Sequence, residues 1–280
     1  MMIYIRIDTD GTRFGNWLFQ YAAARTRAGE GEVAFVVKDD TAEKKVREYA
    51  AVYPDVKYVR SAPAGSVCLE GLFQDLAYID SKLVRRYLIC PQEVRKKLAA
   101  KYGELTALSD FAAVHVRRGD YLHLPHRHPF VGTFYLRQAI ARLQTGSMSF
   151  RKFIICSDDL PWCRRFFTAD KFAGLTFCFA DGESPIEDFF LMTFCGANIC
   201  SNSTFSWWAA FLNCQAQHRV ILPTRWFGMD IGRQPSEIYY PEAEVVACRY
   251  QFGEYLVALM RTARARLGRI LRSAVRMDSR

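Results

Sequence analysis

The stretch Tyr4-Ile5-Arg6-Ile7-Asp8-Thr9-Asp10-Gly11-Thr12-Arg13-Phe14-Gly15-Asn16-Trp17, which runs on through Leu18-Phe19-Gln20-Tyr21-Ala22-Ala23-Ala24-Arg25-Thr26-Arg27, decides the fold class. Tyr4 to Ile7 has the β-branched and aromatic content of a strand, Gly11 and Gly15 punctuate a turn, and Trp17 to Arg27 is rich in Ala and aromatics, as a buried helix is. Strand, glycine turn and helix in that order open an α/β unit. Strand and helix signals then alternate: strands at Val33 to Val37 and Val56 to Val59, and helices at Glu43 to Tyr53 and at Pro91 to Tyr102, the last with Pro at its first turn. A second series follows, with strands at Ala112 to Val116, Phe153 to Cys156, Leu175 to Phe179, Asn198 to Cys200 and Val220 to Leu222, and a helix at Thr133 to Leu143. Such alternation calls for parallel sheets covered by helices on both faces. Thr106 to Asp110 is the natural boundary, which gives an α/β domain over 1–108, a second over 109–250 and a separate tail over 251–280.

Composition narrows the class. The chain has 280 residues, of which 50% are hydrophobic and 24% charged, enough apolar content for a sizeable core and too much for a disordered chain. Nine cysteines without a C-x-x-C pair read as reduced, buried thiols rather than a zinc site or disulfide framework. No apolar run reaches the roughly 20 residues of a spanning helix, and the N-terminus lacks a signal-peptide pattern, so a cytoplasmic protein is expected. Of the net charge of +9, seven Arg against Glu254 and Asp278 place +5 after residue 253. The body is only mildly basic and carries no basic stripe with interleaved aromatics, which excludes a nucleic-acid role for it. In the tail, Phe252, Leu256, Leu259, Ala263, Leu267, Ile270 and Ala274 recur at helical spacing opposite Arg261, Arg264, Arg269, Arg272 and Arg276. This basic amphipathic helix either lies on an anionic inner membrane leaflet or packs its first turns back on the N-terminal domain.

Three segments at strand ends carry candidate chemistry. In His115-Val116-Arg117-Arg118-Gly119-Asp120-Tyr121, two adjacent guanidiniums can bracket a diphosphate. Ser201-Asn202-Ser203-Thr204-Phe205-Ser206-Trp207-Trp208 starts a helix whose backbone N–H groups face an anion, with Trp207 and Trp208 read as core. In Cys156-Ser157-Asp158-Asp159, a carboxylate can accept from a ribose or a base, or cap the helix that follows. Ser184-Pro185-Ile186-Glu187 reads as a capping box, so the acidic cluster Asp181, Glu183, Glu187 and Asp188 is assigned to caps and a solvated face. Asp8-Thr9-Asp10 is discounted as a metal motif because Arg117 and Arg118 already neutralise a diphosphate.

In order along the chain, these segments resemble glycosyltransferase family 11, the α-1,2-fucosyltransferases. Residues 13–22, RFGNWLFQYA, are similar to the family's G-N-Q-L-F-Q-Y-A opening. EGLFQ at 70–74, HVRRGDY, SDD at 157–159, NSTFSWW and LPTRWF at 222–227 follow. The resemblance implies a GT-B fold of two facing Rossmann-like domains with a C-terminal helical extension, and inverting transfer from GDP-fucose with no metal and no cofactor. It places Arg117 and Arg118 on the diphosphate, and His115 with one of Asp158 or Asp159 on guanosine. Asn202, Ser203, Thr204 and Phe205 line the phosphates, and Asn16 lies across the cleft near the reacting carbon. The expected acceptor is the 2-OH of a terminal galactose, in a glycan that a membrane-lying tail would bring within reach in lipid-linked form. For the general base, Asp120 competes with His123, His126 and His128. Rival readings are another acceptor or linkage, a non-catalytic nucleotide-sugar binder and, from the tail alone, a nucleic-acid binder. Trp17 in place of the family's Gln, and the segment 8–13 in place of a glycine-rich turn, are departures on the acceptor side.

Overall fold

The computed structural model describes residues 1–124, 127–146, 148–181, 184–228, 236–249, 253–254, 256–260 and 263–264. Of the expected features, His126, Glu183 and, in the tail helix, Phe252, Arg261, Leu267, Arg269, Ile270, Arg272, Ala274 and Arg276 lie outside the described residues. Among the described residues the strands form two sheets, every pairing parallel.

The first sheet has the order β3-β2-β1-β4, from β1 (Met2–Arg6), β2 (Glu32–Val36), β3 (Lys57–Val59) and the two-residue β4 (Cys68–Leu69). Its helices are α1 (Phe14–Ala28), α2 (Asp40–Arg47), α3 (Ser81–Tyr87) and α4 (Gln92–Tyr102). The helix expected over Glu43 to Tyr53 instead begins at the Asp39 cap, whose side chain accepts from Ala42 N, and gives way to a 3-10 turn at Ala50–Val52.

The second sheet has the order β10-β9-β8-β5-β6-β7, from β5 (Phe111–Val116), β6 (Lys152–Ser157), β7 (Thr176–Phe179), β8 (Ala197–Ile199), β9 (Arg219–Pro223) and β10 (Ala243–Val246). It carries α5 (Thr133–Leu143), α6 (Leu160–Phe166), α7 (Pro185–Phe194) and α8 (Thr204–Phe211). β5 sits between β8 and β6, so the ends of these three strands open side by side, where parallel α/β sheets collect ligands. Two parallel sheets with their helices, facing across a cleft, are the GT-B arrangement.

The two halves share a core. Phe19 of α1 packs 4.7 Å from Trp207 and 4.9 Å from Trp208 of α8, and Phe14 meets Phe189 of α7 edge-on at 5.2 Å. Both tryptophans are fully buried, which agrees with their reading as core, and Trp207 Nε1 donates to Ile238 O at 2.6 Å. Aromatic pairs of this kind add about 0.5–1.5 kcal/mol each beyond their buried area, so α1, α7 and α8 hold the cleft walls in fixed register.

Among the described residues of the tail, the first turns pack not on the N-terminal half, as one of the two expectations had it, but on the second. Glu254 accepts from Thr133 N at the start of α5, and Ala258 is buried against Leu122 and Phe130. Both anchors belong to the half built on the second sheet.

Candidate active site

A cavity of about 430 Å³ opens between the two halves. One wall comes from the start of α1 (Gly11, Arg13, Phe14, Gly15, Asn16) with Tyr49. The other is built from the ends of β5 and β6 (His115, Arg117, Cys156, Ser157, Asp158), the following loop (Asp120, Tyr121, His128), and the starts of α7 and α8 (Ser184, Pro185, Asp188, Ser203, Thr204, Phe205).

Three helix N-termini therefore converge on one space. Ser184 caps α7 by accepting from Ile186 N at 3.2 Å, whereas neither Arg13 at α1 nor Ser203 at α8 makes a side-chain cap bond. Uncapped N-termini present free N–H groups and the positive end of the helix dipole, a setting for an anion. They come together because Gly15 has no side chain: a Cβ there would lie 2.5 Å from Thr204 Oγ1 and 2.7 Å from Phe205 N.

Arg117 occupies the middle of the site. Its guanidinium donates to Asp120 Oδ1 at 2.6 Å, forms an ion pair with Asp158 Oδ2 at 2.8 Å, and lies 5.5 Å from the centre of the Tyr121 ring. Its backbone is fixed by Ser201, whose hydroxyl accepts from Arg117 N at 3.0 Å and donates to His115 O at 2.7 Å. From the other side, Ser157 Oγ donates to Val116 O and Asp158 Oδ1 accepts from Arg118 N at 2.8 Å. Gly119 allows this approach, since a Cβ there would meet Asp158 Oδ2 at 2.5 Å. Asp120 reaches across the cleft as well: its Oδ2 lies 3.1 Å from Arg13 on the opposite wall.

The expected pair of phosphate-bracketing arginines is not what the structure builds. Adjacent residues in extended chain point to opposite sides, so Arg117 follows His115 toward the cavity and Arg118 turns away. The Arg118 guanidinium lies 3.9 Å from the Trp162 ring centre and 3.2 Å from Asp159, only 5% exposed and off the cavity wall. Asp159 serves as the N-cap of α6, accepting from Trp162 N, and is not among the cavity residues either. Asn202 is buried behind the wall, its amide donating to Trp226 O at 3.0 Å. His115, Arg117, Asp120, Asp158, Ser203, Thr204, Phe205 and Asn16 are brought together as expected.

Asn16 is oriented by Gln74 Nε2, which donates to its Oδ1 at 2.5 Å. His115 is buried against Phe205, and burial, with Arg117 nearby, lowers its pKa to about 3, so the ring is neutral. His128 stacks on Tyr121 at 4.9 Å and is also pushed toward its neutral form, chiefly by burial. Asp8-Thr9-Asp10 forms a turn: Asp8 Oδ1 accepts from Asp10 N and Gly11 N, and Asp10 pairs with Lys38.

Asp188 and Arg13 are cavity residues that the sequence does not single out. Asp188 was grouped with solvated acids, yet it sits in the first turn of α7 on the cavity wall, where burial raises its carboxyl pKa to about 7. Of its neighbours, Asp181 is a surface group paired with Lys101, whereas Glu187, expected on a solvated face, is buried where α7 packs and pairs with Lys97. The spacing of Asp188 from the apolar Phe189 and Leu191 gave no sign of its direction. Arg13 was read only as part of a motif.

Glycosyl transferase family 11 matches residues 72–237, more than half of the chain. The chain belongs to glycosyl transferase family 11. It is 32% identical over 181 residues to the Escherichia coli O-antigen biosynthesis glycosyltransferase WbnK, covering 57% of this chain and 55% of that protein. It is 27% identical over 174 residues to an E. coli alpha-1,2-colitosyltransferase, covering 61% and 60%. Over 111 residues it is 40% identical to galactoside alpha-(1,2)-fucosyltransferase 1 of Plecturocebus brunneus, covering 36% of this chain and 28% of that one. The chain thus spans about half the length of the bacterial relatives it matches, and less of the primate one. The family match begins after α1, so Arg13 to Asn16 rest on the structure and the motif resemblance.

Proposed function

We propose that this family 11 protein transfers L-fucose from GDP-β-L-fucose to the 2-OH of a terminal galactose, with inversion, without a metal, and in assembly of a bacterial surface polysaccharide such as an O-antigen or capsule. The observation that carries the reading is the guanidinium of Arg117 set between the uncapped starts of α1 and α8, an anion site at the ends of parallel strands. The acceptor oxygen attacks the anomeric carbon, the bond from that carbon to the β-phosphate oxygen breaks, and its electron pair leaves with GDP. Negative charge grows on the diphosphate in the transition state, where Arg117 and the helix N–H groups stabilise it. The acceptor proton passes to a base on the cavity wall. Asp120 and His128 both face that space, whereas His123 does not line it.

Guanine presents N1–H and N2–H side by side, and Asp188 is a carboxyl on the same wall as His115. As an ionised acceptor of those two donors, Asp188 must give up the proton that burial holds on it up to about pH 7. GDP affinity is therefore expected to rise about tenfold from pH 6 to pH 8, with proton release on binding. Calorimetric titration with GDP at both pH values checks this, and a flat or falling affinity removes Asp188 from base recognition.

The similarity to an alpha-1,2-colitosyltransferase favours one second reading, a colitose donor in the same site. A panel of lactose, N-acetyllactosamine and lacto-N-biose, with the product linkage read by NMR, tests donor sugar, acceptor and regiochemistry together. An α-1,2-fucosyl galactoside supports the first reading, and fucose on any other position overturns it.

We also propose that the enzyme works on the inner membrane face, on a lipid-linked acceptor. Leu256, Val257, Leu259 and Met260 are 40–62% exposed on a segment anchored by Glu254 and Ala258, and the sequence that follows carries seven Arg against Asp278. Apolar side chains beside clustered Arg fit an anionic bilayer. Among the described residues no helix is long and apolar enough to cross a membrane. Flotation with phosphatidylcholine vesicles containing phosphatidylglycerol is expected for the full chain and lost on deletion of residues 262–280. Flotation unchanged by that deletion would exclude the role of the tail.

A further inference from the structure

We propose that Arg13 is a second diphosphate-binding cation, supplied by the wall opposite Arg117, and that Asp120 occupies the place of a phosphate until the donor arrives. The inference rests on the GDP-sugar reading above and adds to it a residue outside the family match.

One carboxylate joins the two walls. Asp120 Oδ1 takes Arg117 at 2.6 Å and Oδ2 takes Arg13 at 3.1 Å, so two guanidiniums from opposite halves stand one carboxylate apart. A phosphate group offers oxygens at similar spacing with more charge, and guanidinium forks bind both groups in the same way. The two arginines are thus already set to receive a phosphate where the Asp120 carboxylate now lies. The adjoining helix starts, α1 beside Arg13 and α8 across from it, carry no side-chain caps.

Charge decides what must move. Arg13 and Arg117 face Asp120 and Asp158 in a chain of ion pairs that is electrically balanced. A diphosphate entering that chain must displace a carboxylate. Asp158 is held in place: it also accepts from Arg118 N, and it packs against Gly119. The Asp120 side chain is 40% exposed and can swing to water. Displaced from both guanidiniums, it becomes available to the acceptor hydroxyl, which makes donor binding the first step.

The delivery of Arg13 explains a departure from the family opening. Trp17 stands where the family has Gln, and its Nε1 donates to Thr12 Oγ1 at 2.9 Å and to Asp8 O at 3.2 Å. The loop 8–13 is fixed from inside α1, and Arg13 with it.

The test is calorimetric binding of GDP and GMP to the full chain and to Arg13→Ala, Asp120→Asn and the double variant, each first shown to melt like wild type. Arg13→Ala is expected to weaken GDP about tenfold while changing GMP far less, because only GDP carries the β-phosphate that Arg13 would contact. Asp120→Asn is expected to tighten GDP several-fold by removing its competitor, and the double variant to lose most of that gain. GDP affinity unchanged in Arg13→Ala, or weakened in Asp120→Asn, overturns the proposal. A wild-type chain that binds no GDP at all instead overturns the donor reading.

Discussion

Arg117→Ala is expected to lower turnover by roughly 10²- to 10³-fold, about 3–4 kcal/mol of barrier, with a smaller change in GDP affinity. Arg117 lies between the starts of α1 and α8, and its guanidinium lines the cavity where, under the proposed function, the leaving diphosphate gains charge. Its removal leaves the helix N–H groups in place, so ground-state binding persists while the developing charge loses its strongest partner. Asp158 and Asp120 would then face each other across an empty position. Repulsion between these carboxylates adds to the loss and disfavours an incoming anion. Arg118→Ala is a useful contrast. Its guanidinium packs on Trp162 and Asp159 behind the wall, so its loss acts on stability before catalysis. Steady-state kinetics with a saturating galactoside distinguish the two, and near-normal turnover of Arg117→Ala would remove it from the chemistry.

Gly15→Ala is expected to damage both stability and function. The added methyl would lie 2.5 Å from Thr204 Oγ1 and 2.7 Å from both Thr204 C and Phe205 N. Backbone atoms cannot yield as a flexible side chain does, so α1 and α8 must separate. Overpacking of this kind costs about 1–3 kcal/mol. For a chain of this size that corresponds to a fall in Tm of several degrees, roughly 3–10 °C. Functional loss follows from the same displacement, because Thr204 and Phe205 form one side of the anion site and Asn16, next in the chain, the other. A thermal melt together with GDP titration measures both effects. A variant that melts like wild type and binds GDP normally would show that the two helix starts are not tightly apposed.

The fold was readable because its signals are local. The strand, glycine turn and Ala-rich helix at residues 4–27, and the apolar strands ending in HVRRGDY, SDD and NSTFSWW, carry their periodicity and turn chemistry in neighbouring residues. Strand ends also pointed to the cavity, since parallel sheets open their ligand crevices there. Features set by distant contacts were not readable. β4 is only two residues long and exists because Tyr4 and Ile5 of β1 pair with it. The direction of Arg118 depends on alternation past the end of β5, and two adjacent arginines look alike in one dimension. Asp188 shares its sequence neighbourhood with surface acids, and only the way α7 packs puts it on the cavity wall. The pairing of Arg13 with Asp120 joins residues from different halves, and no spacing rule connects them.

Under the proposed function, the cavity between the sheets releases GDP from GDP-fucose as a galactoside is fucosylated. The most direct measurement is GDP release from GDP-fucose by the purified chain in EDTA, with and without a terminal β-galactoside. Acceptor-dependent release is expected, matched mole for mole by fucosylated product. Tight GDP binding with no release in the presence of any galactoside would contradict it and leave a protein that binds the nucleotide without transferring the sugar.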